Sequence, residues 1–477
     1  MKTNRLHSLF LIGALLVISC GAMAFAAFTS GDGPAAVQPP VAIGQGIVTL
    51  TGRLAQEKIV KNGNGTFAMS LVMKAEEVFP AAAADSRQVD MVLVLDRSGS
   101  MQGEKMQYAR QAVLELVEKF NAADRLALVT YNEEALGNTG LLPATAANRQ
   151  AIRGAVQAIV PRGGTNLGAG LSEGIRILTA RAPGAGSGRV LLISDGLANH
   201  GITDPVALGR MADEAGRREI TVSTVGVGLD FNEALMTRLA DAGTGNYTYL
   251  ENATAFAATF KKELDLTRQA AATAVEIRIP LLRGMSVLEA SGYPVAVEDG
   301  QAVIRPSNLL SGETRELFLA CRLPADQENT STLSGISVSY RHQGRTHRAV
   351  LAEPLIIACV ADEQAAMASI DKDVWEAQVL KEDYNRLRQE VAAAVKGGEK
   401  AAAVAKIEQY RQDKEKVNAL VGSESVADNL VHDVEALRST VEEVFTGPAP
   451  LAEEKQKKSA KELQYQGYEG RRQNSFN

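Results

Sequence analysis

The stretch "VDMVLVLDRSGSM", Val89 to Met101, decides the reading of the chain. Six apolar residues, interrupted only by Asp90, end in an acid and two hydroxyls, Asp96, Ser98 and Ser100, with Gly99 between the hydroxyls. A strand apolar at almost every position is one covered on both faces, as in a parallel sheet with helices on either side. Gly99 permits a tight turn that aims both hydroxyls at one point.

Outward from this stretch the same strand type recurs in "RLALVTY", "RVLLIS", "ITVSTVGV" and "NYTYL". Amphipathic segments alternate with them: "EKMQYARQAVLELVEKF", "GAGLSEGIRILTA" and "DPVALGRMADEAGRR", the last with Asp204 and Pro205 suited to a helix start. The alternation predicts a doubly wound, mainly parallel α/β sheet. Ligands of such sheets bind beyond the carboxyl ends of the strands. Asp195 follows "VLLIS" as Asp96 follows "VLVL", so both carboxylates can share one site there. Thr165, in "PRGGTNLGAGL", offers a third hydroxyl just before a helix. Asp96, Ser98, Ser100, Thr165 and Asp195 are thus candidate metal ligands, all of hard oxygen, which suits Mg²⁺ or Mn²⁺ better than zinc. Ca²⁺, which takes more carboxylate and carbonyl oxygens, ranks lower.

The flanks have a different period. "TFAMSLVMKA" alternates before the α/β stretch, and "AVEIRIPLL", "RELFLACRL" and "SGISVSYRHQGRTHRAVLAEPLII" do so after it, with hairpin signals at Asp299-Gly300 and Gln343-Gly344. We expect one antiparallel β-sandwich with the α/β domain inserted into it. The segment "ENATAFAATFKKELDLTRQ" reads as the last helix of the insert, leading into "AVEIRIP". The expected organisation is 1–28 signal peptide or membrane anchor, 46–80 first sandwich strands, 89–268 α/β domain, 274–360 rest of the sandwich, 361–447 helical region and 448–477 flexible tail. Gly422 and Ser423 read as a helix stop and an N-cap within the helical region.

At 477 residues and 45% hydrophobic content the chain has ample core for two or three domains. Its net charge of -6, with no basic stripe carrying interleaved aromatics, argues against nucleic acid as a partner. The N-terminus has Lys2 and Arg5, then an apolar run from Leu9 to Phe28, and reads as an export signal. Three fates compete: cleavage after Ala24, lipidation at Cys20 in a Val17-Ile18-Ser19-Cys20 stretch, or retention as a membrane anchor. Each places the rest outside the cytoplasm, in a periplasm, at a cell surface or secreted. The two remaining cysteines, Cys321 and Cys359, end the apolar runs "ELFLAC" and "PLIIAC". A disulfide between neighbouring strands and two buried free thiols both fit an exported chain, and the bridge is the expectation carried forward.

The five positions together resemble the metal-ion-dependent adhesion site of the von Willebrand factor type A domain: D-x-S-x-S at Asp96, Ser98 and Ser100, then Thr165, then the strand-end Asp195. The resemblance covers residues 90 to 268 in family order. With its sandwich flanks the chain is also similar to bacterial exported proteins of this family and to inter-alpha-trypsin inhibitor heavy chains. The resemblance implies a non-enzymatic binding or adhesion module, in which the cation keeps one coordination position for an Asp or Glu of a protein partner. A structural subunit of a cell-envelope complex shares the motif and stands as the alternative. A Mg²⁺-dependent hydrolase ranks below both, since Asp96 and Asp195 leave no obvious free acid or base except the loop residue His200, and no phosphate loop or H-E-x-x-H is present.

Overall fold

Apolar runs covered on both faces need helices above and below them, and the chain supplies both. The computed structural model describes residues 42–43, 46–78, 88–181, 188–229, 231–250, 253–472 and 475–476. The segment 1–28, and with it the fate of Cys20, lies outside these. Five parallel strands run in the order Thr244–Leu250, Ile220–Val227, Gly188–Ser194, Asp90–Asp96, Arg125–Tyr131, and short antiparallel pieces, Ala135–Gly137 and Leu142–Pro143, pair with the last. Every residue of Asp90–Asp96 is buried. Met91, Leu93 and Leu95 join a core formed with Met106, Ala109, Val113 and Leu116 of the helix Glu104–Val117, whereas Val92 and Val94 face Leu171, Leu208 and Leu239 on the other side. This is the two-residue alternation of a strand sandwiched between two helical layers.

The sandwich is built from both flanks. Thr66–Ala75, before the insert, pairs antiparallel with Glu313–Arg322, after it, from Thr66 opposite Arg322 to Lys74 opposite Thr314. Val48–Leu54, Ser286–Ala290 and the short Ser475–Phe476 complete that sheet. The facing sheet centres on Ala270–Pro280, between Ser337–His342 and Gln301–Ile304. One core holds Met69, Leu71 and Met73 from the first flank with Ile277, Leu317, Leu319 and Val338 from the second. Both hairpin signals form two-residue turns with positive φ at each turn residue, Asp299-Gly300 and Gln343-Gly344. The last helix of the insert, Ala253–Gln269, runs directly into Ala270–Pro280.

Two expectations are corrected. Cys321 and Cys359 are free, buried thiols. They stand on different sheets, Cys321 between Phe67 and Val287 and Cys359 between Asn329 and Ile59, so the strands adjacent to each bring no second sulfur. Burial pushes the Cys321 thiol up to about 12.

The expected flexible tail is instead largely the helix Ala449–Arg472, which follows three long helices of the helical region, Tyr384–Lys396, Lys400–Val421 and Val434–Val444. Gly422 and Ser423 do end one helix and cap the next: Gly422 is left-handed, and the Ser423 hydroxyl accepts from the Val426 N–H at 3.1 Å. The charges that made the tail read as solvated have partners far away in sequence. Lys461, 3% exposed, donates to Glu233 at 2.8 Å and to the Phe231 carbonyl at 2.7 Å, with its ammonium 3.7 Å from the Phe231 ring centroid. Arg471 pairs with Glu382 and Glu289, and Arg472 with Asp241. Among the described residues no helix is long and apolar enough to cross a membrane.

Removing one member of a buried ion pair leaves the other uncompensated, at about 3–5 kcal/mol. Lys396, 2.9 Å from Glu233, moderates that loss here. Lys461→Ala is expected to cost about 2–4 kcal/mol in urea denaturation, against under about 0.5 kcal/mol for the exposed neighbour in Glu454→Ala. Equal effects of the two would refute the anchoring role.

Candidate metal centre

The strand order places the two candidate carboxylates, Asp96 and Asp195, side by side. From Asp90–Asp96 the chain moves to the neighbour on one side, Arg125–Tyr131, and later returns to the neighbour on the other, Gly188–Ser194. The crevice where the winding reverses lies at the carboxyl ends of the strands. Asp96 and Asp195 terminate the two strands that flank it.

Asp96 is fully buried. Its Oδ1 accepts the Ser98 N–H at 2.8 Å, and its Oδ2 accepts the Ser194 hydroxyl at 2.6 Å, with the Tyr131 hydroxyl at 3.4 Å. The Ser98 and Ser100 hydroxyls lie 3.0 Å apart, and Ser100 donates to Asp195 Oδ1 at 3.0 Å. The other oxygen of Asp195, also fully buried, meets the Lys105 ammonium at 3.0 Å. Direct hydrogen bonds therefore link Ser98, Ser100 and Asp195, while Asp96 and Ser194 brace them from beneath.

Thr165 is 1% exposed and sits on the adjoining loop. That loop is tied to the first one: the Gly99 N–H donates to the Gly163 carbonyl at 3.0 Å, and the Arg162 N–H to the Arg97 carbonyl at 2.8 Å. Thr165 itself is fixed by its N–H donating to Asn199 Oδ1 at 2.8 Å and its carbonyl accepting from the Asn199 and His200 N–H groups. The His200 ring lies on Gly164, where a Cβ would come within 2.0 Å of it. Behind the site, Gly170 admits the Tyr131 ring; a Cβ there would stand 2.5 Å from it. Without that close approach Tyr131 could not reach toward Asp96.

Sequence reading missed Ser194, Tyr131, Asn199 and Lys105. Ser194 directly precedes Asp195 and Lys105 lies five residues past Ser100, but only the fold shows that these side chains turn toward the site, Ser194 from the end of its strand and Lys105 from the first turn of the helix Glu104–Val117. Among the described residues no three His, Cys, Asp or Glu side chains are grouped as metal ligands. A cation here would thus depend on hydroxyl oxygens beside the two carboxylates, a donor set that fits a hard divalent ion.

Residues 90–262 match the sequence model of the family described as von Willebrand factor type A domain. These residues form a von Willebrand factor type A domain. The Escherichia coli K12 protein YfbK is 35% identical over 166 residues, which is 34% of this chain and 28% of that protein. Human inter-alpha-trypsin inhibitor heavy chain H4 is 28% identical over 157 residues, 32% of this chain and 17% of that one. The chain thus spans less than a third of either relative. A solved von Willebrand factor type A protein from Catenulispora acidiphila superposes with a TM-score of 0.63 at 18% identity, over 88% of this chain and 96% of that one. At that identity the likeness is one of fold, and it extends well beyond the type A domain into the flanks.

Burial pushes the Asp96 carboxyl up from its ordinary 3.8 to about 6; the Ser194 and Ser98 hydrogen bonds pull it down and the Asp195 charge pushes it up. A carboxyl raised on folding contributes stability below its unfolded value, and loses that contribution as pH rises through the folded value. The rise is equivalent to about 3 kcal/mol at most. In EDTA, the stability of Asp96→Asn relative to the natural chain should therefore increase between pH 4 and pH 7, measured by urea denaturation of both. A difference that stays flat across that range contradicts a charged, buried Asp96.

Proposed function

We propose that the chain is an exported protein-binding or adhesion module, dependent on Mg²⁺ or Mn²⁺ held by Asp96, Ser98, Ser100, Thr165 and Asp195. Domains of this family commonly bind proteins, and the proposal adds the cation, its ligands and export. The observation that carries it is the pair of hydroxyls, Ser98 and Ser100, between two buried carboxylates at the carboxyl edge of the sheet. Two carboxylates and the Lys105 ammonium leave one net negative charge around the cluster. A divalent ion there would remain under-neutralised and supply an electrophilic centre for an acidic oxygen of a partner. The surroundings suit a protein partner: Leu197 and Ile202, on the loop after Asp195, are 47% and 46% exposed. Exposed apolar side chains beside a polar anchor are the composition of a binding surface.

Catalysis has less support. Both strand-end carboxylates are engaged within the cluster, and the His200 ring rests on the Gly164 backbone. Export rests on the N-terminal sequence, and N-terminal sequencing of the protein recovered from its native compartment separates cleavage, lipidation and retention.

Calorimetric titration with Mn²⁺ tests the centre. Asp96→Ala should abolish binding, and undiminished binding in that variant would remove the assignment. Lys105→Met should tighten binding by about tenfold, equivalent to about 1.4 kcal/mol, because a competing positive charge is lost. A partner captured in Mg²⁺ should be released by EDTA; retention in EDTA would favour a structural subunit of an envelope complex instead.

A further inference from the structure

Away from the candidate metal centre, a groove of about 940 Å³ runs between two helices of the type A domain and the sandwich. The helices Pro205–Arg217 and Glu233–Ala242 form one wall, the strand Val295–Glu298 another, and Gln389 of the helical region and Gln464 of the last helix close one side. Its apolar part comes from Val206, Ala234, Ala242, Val295 and Val303, and Val206 is half exposed.

The charges in this groove do not balance. Asp213 and Glu298 both pair with Arg217 and Arg305, and Asp241 pairs with Arg472. Arg210 and Arg238 also line it, and neither has an ion-pair partner among the described residues. The Arg238 stem crosses to the neighbouring helix and lies against Gly209, where a Cβ would meet it at 3.4 Å, one residue before Arg210. The Thr237 hydroxyl and the Gln464 carbonyl oxygen are buried there without a hydrogen-bond partner among the described residues. Buried polar atoms in folded proteins are nearly always satisfied, so this wall carries polar atoms that the described residues leave unanswered.

The strand wall supplies a second kind of recognition. Val295–Glu298 is the last strand of its sheet and pairs on one side only, with Gln301–Ile304. In a two-residue hairpin the flanking pair, Glu298 and Gln301, exchanges hydrogen bonds, so the backbone groups of Val295 and Val297 point to the open edge. An unpaired edge is a template for an added strand.

We propose that this groove binds an extended acidic peptide segment of a protein partner, whose backbone pairs with the Val295–Glu298 edge and whose carboxylates meet Arg210 and Arg238. Nucleic acid fits less well, because no aromatic ring lines the groove for a base to stack on, whereas Asp213, Asp241 and Glu298 are already engaged by Arg217, Arg305 and Arg472. The groove needs no cation and stands whether or not the centre at Asp96 holds one.

The test is fluorescence anisotropy of the full chain with a labelled octa-glutamate peptide in EDTA, beside octa-lysine and an octathymidylate of equal length. Octa-glutamate should bind the natural chain and Asp96→Ala alike. Arg210→Glu with Arg238→Glu should weaken it at least tenfold, and the milder Arg210→Gln several-fold; both arginines are exposed, so the fold should survive. Val297→Pro, which removes only an outward N–H on an edge strand, should also weaken it several-fold. Absence of octa-glutamate binding, equal binding by the charge-reversed chain, undiminished binding in Val297→Pro, or tighter binding of the oligonucleotide would each overturn the proposal.

Discussion

The antiparallel pairing of Thr66–Ala75 with Glu313–Arg322 is the constraint on which the rest of the architecture depends. It joins residues 246 positions apart, as in the hydrogen bond of 2.6 Å from Ser70 to Glu316. Neither partner can form its sheet from its own side of the chain, because the buried face needs Met69, Leu71 and Met73 together with Leu317 and Leu319. The pairing costs loop-closure entropy that grows only slowly with loop length. An intervening domain that folds on its own core reduces the length of free chain to be closed. The type A domain provides that core, with separate apolar clusters on the two faces of its sheet.

Within that domain, the site is shaped by how a carboxylate is kept in a dry place. Asp96 lies at the end of a strand with no exposed residue and is held by the Ser98 N–H and the Ser194 hydroxyl. Hydrogen bonds to the charged form offset part of the desolvation. They do not offset all of it, which is why the carboxyl titrates near 6. The remainder is a reservoir of unfavourable energy at a position where a cation would relieve it, and the short bonds around Asp96 keep its oxygens oriented meanwhile. Lys105 serves Asp195 in a similar way, as a charge supplied by the chain itself.

The helix Ala449–Arg472 joins the three parts. Lys461 and Arg472 reach Glu233 and Asp241 on one helix of the type A domain, Arg471 reaches Glu382 in the helical region, and both Arg471 and Arg472 touch the sandwich, at Glu289 and the Gly292 carbonyl. Glu233 begins the helix that follows the loop at Phe231, and Gly196, directly after Asp195, lies where a Cβ would stand 3.0 Å from the Asn232 N. The buried pairs of the last helix thus rest against the same loop that backs one carboxylate of the site.

Local pattern by itself determined the type A fold, the insertion between flanks of period two, both hairpins, the Gly422 stop with its Ser423 cap, and the strand-end positions of Asp96 and Asp195. These follow from periodicity and turn chemistry, which act over a few residues and are written directly in the chain. What only the tertiary structure decided is which distant groups meet. Ser194 and Tyr131 turn toward Asp96 because of sheet register and because Gly170 lets a helix approach, and Lys105 reaches Asp195 from the first turn of the helix Glu104–Val117. Cys321 and Cys359 remain apart because their runs, alike in composition, enter different sheets. The polar last segment is an anchored helix because its charges find Glu233, Asp241 and Glu382, and a charge carries no local mark of whether its partner will be water or a buried carboxylate.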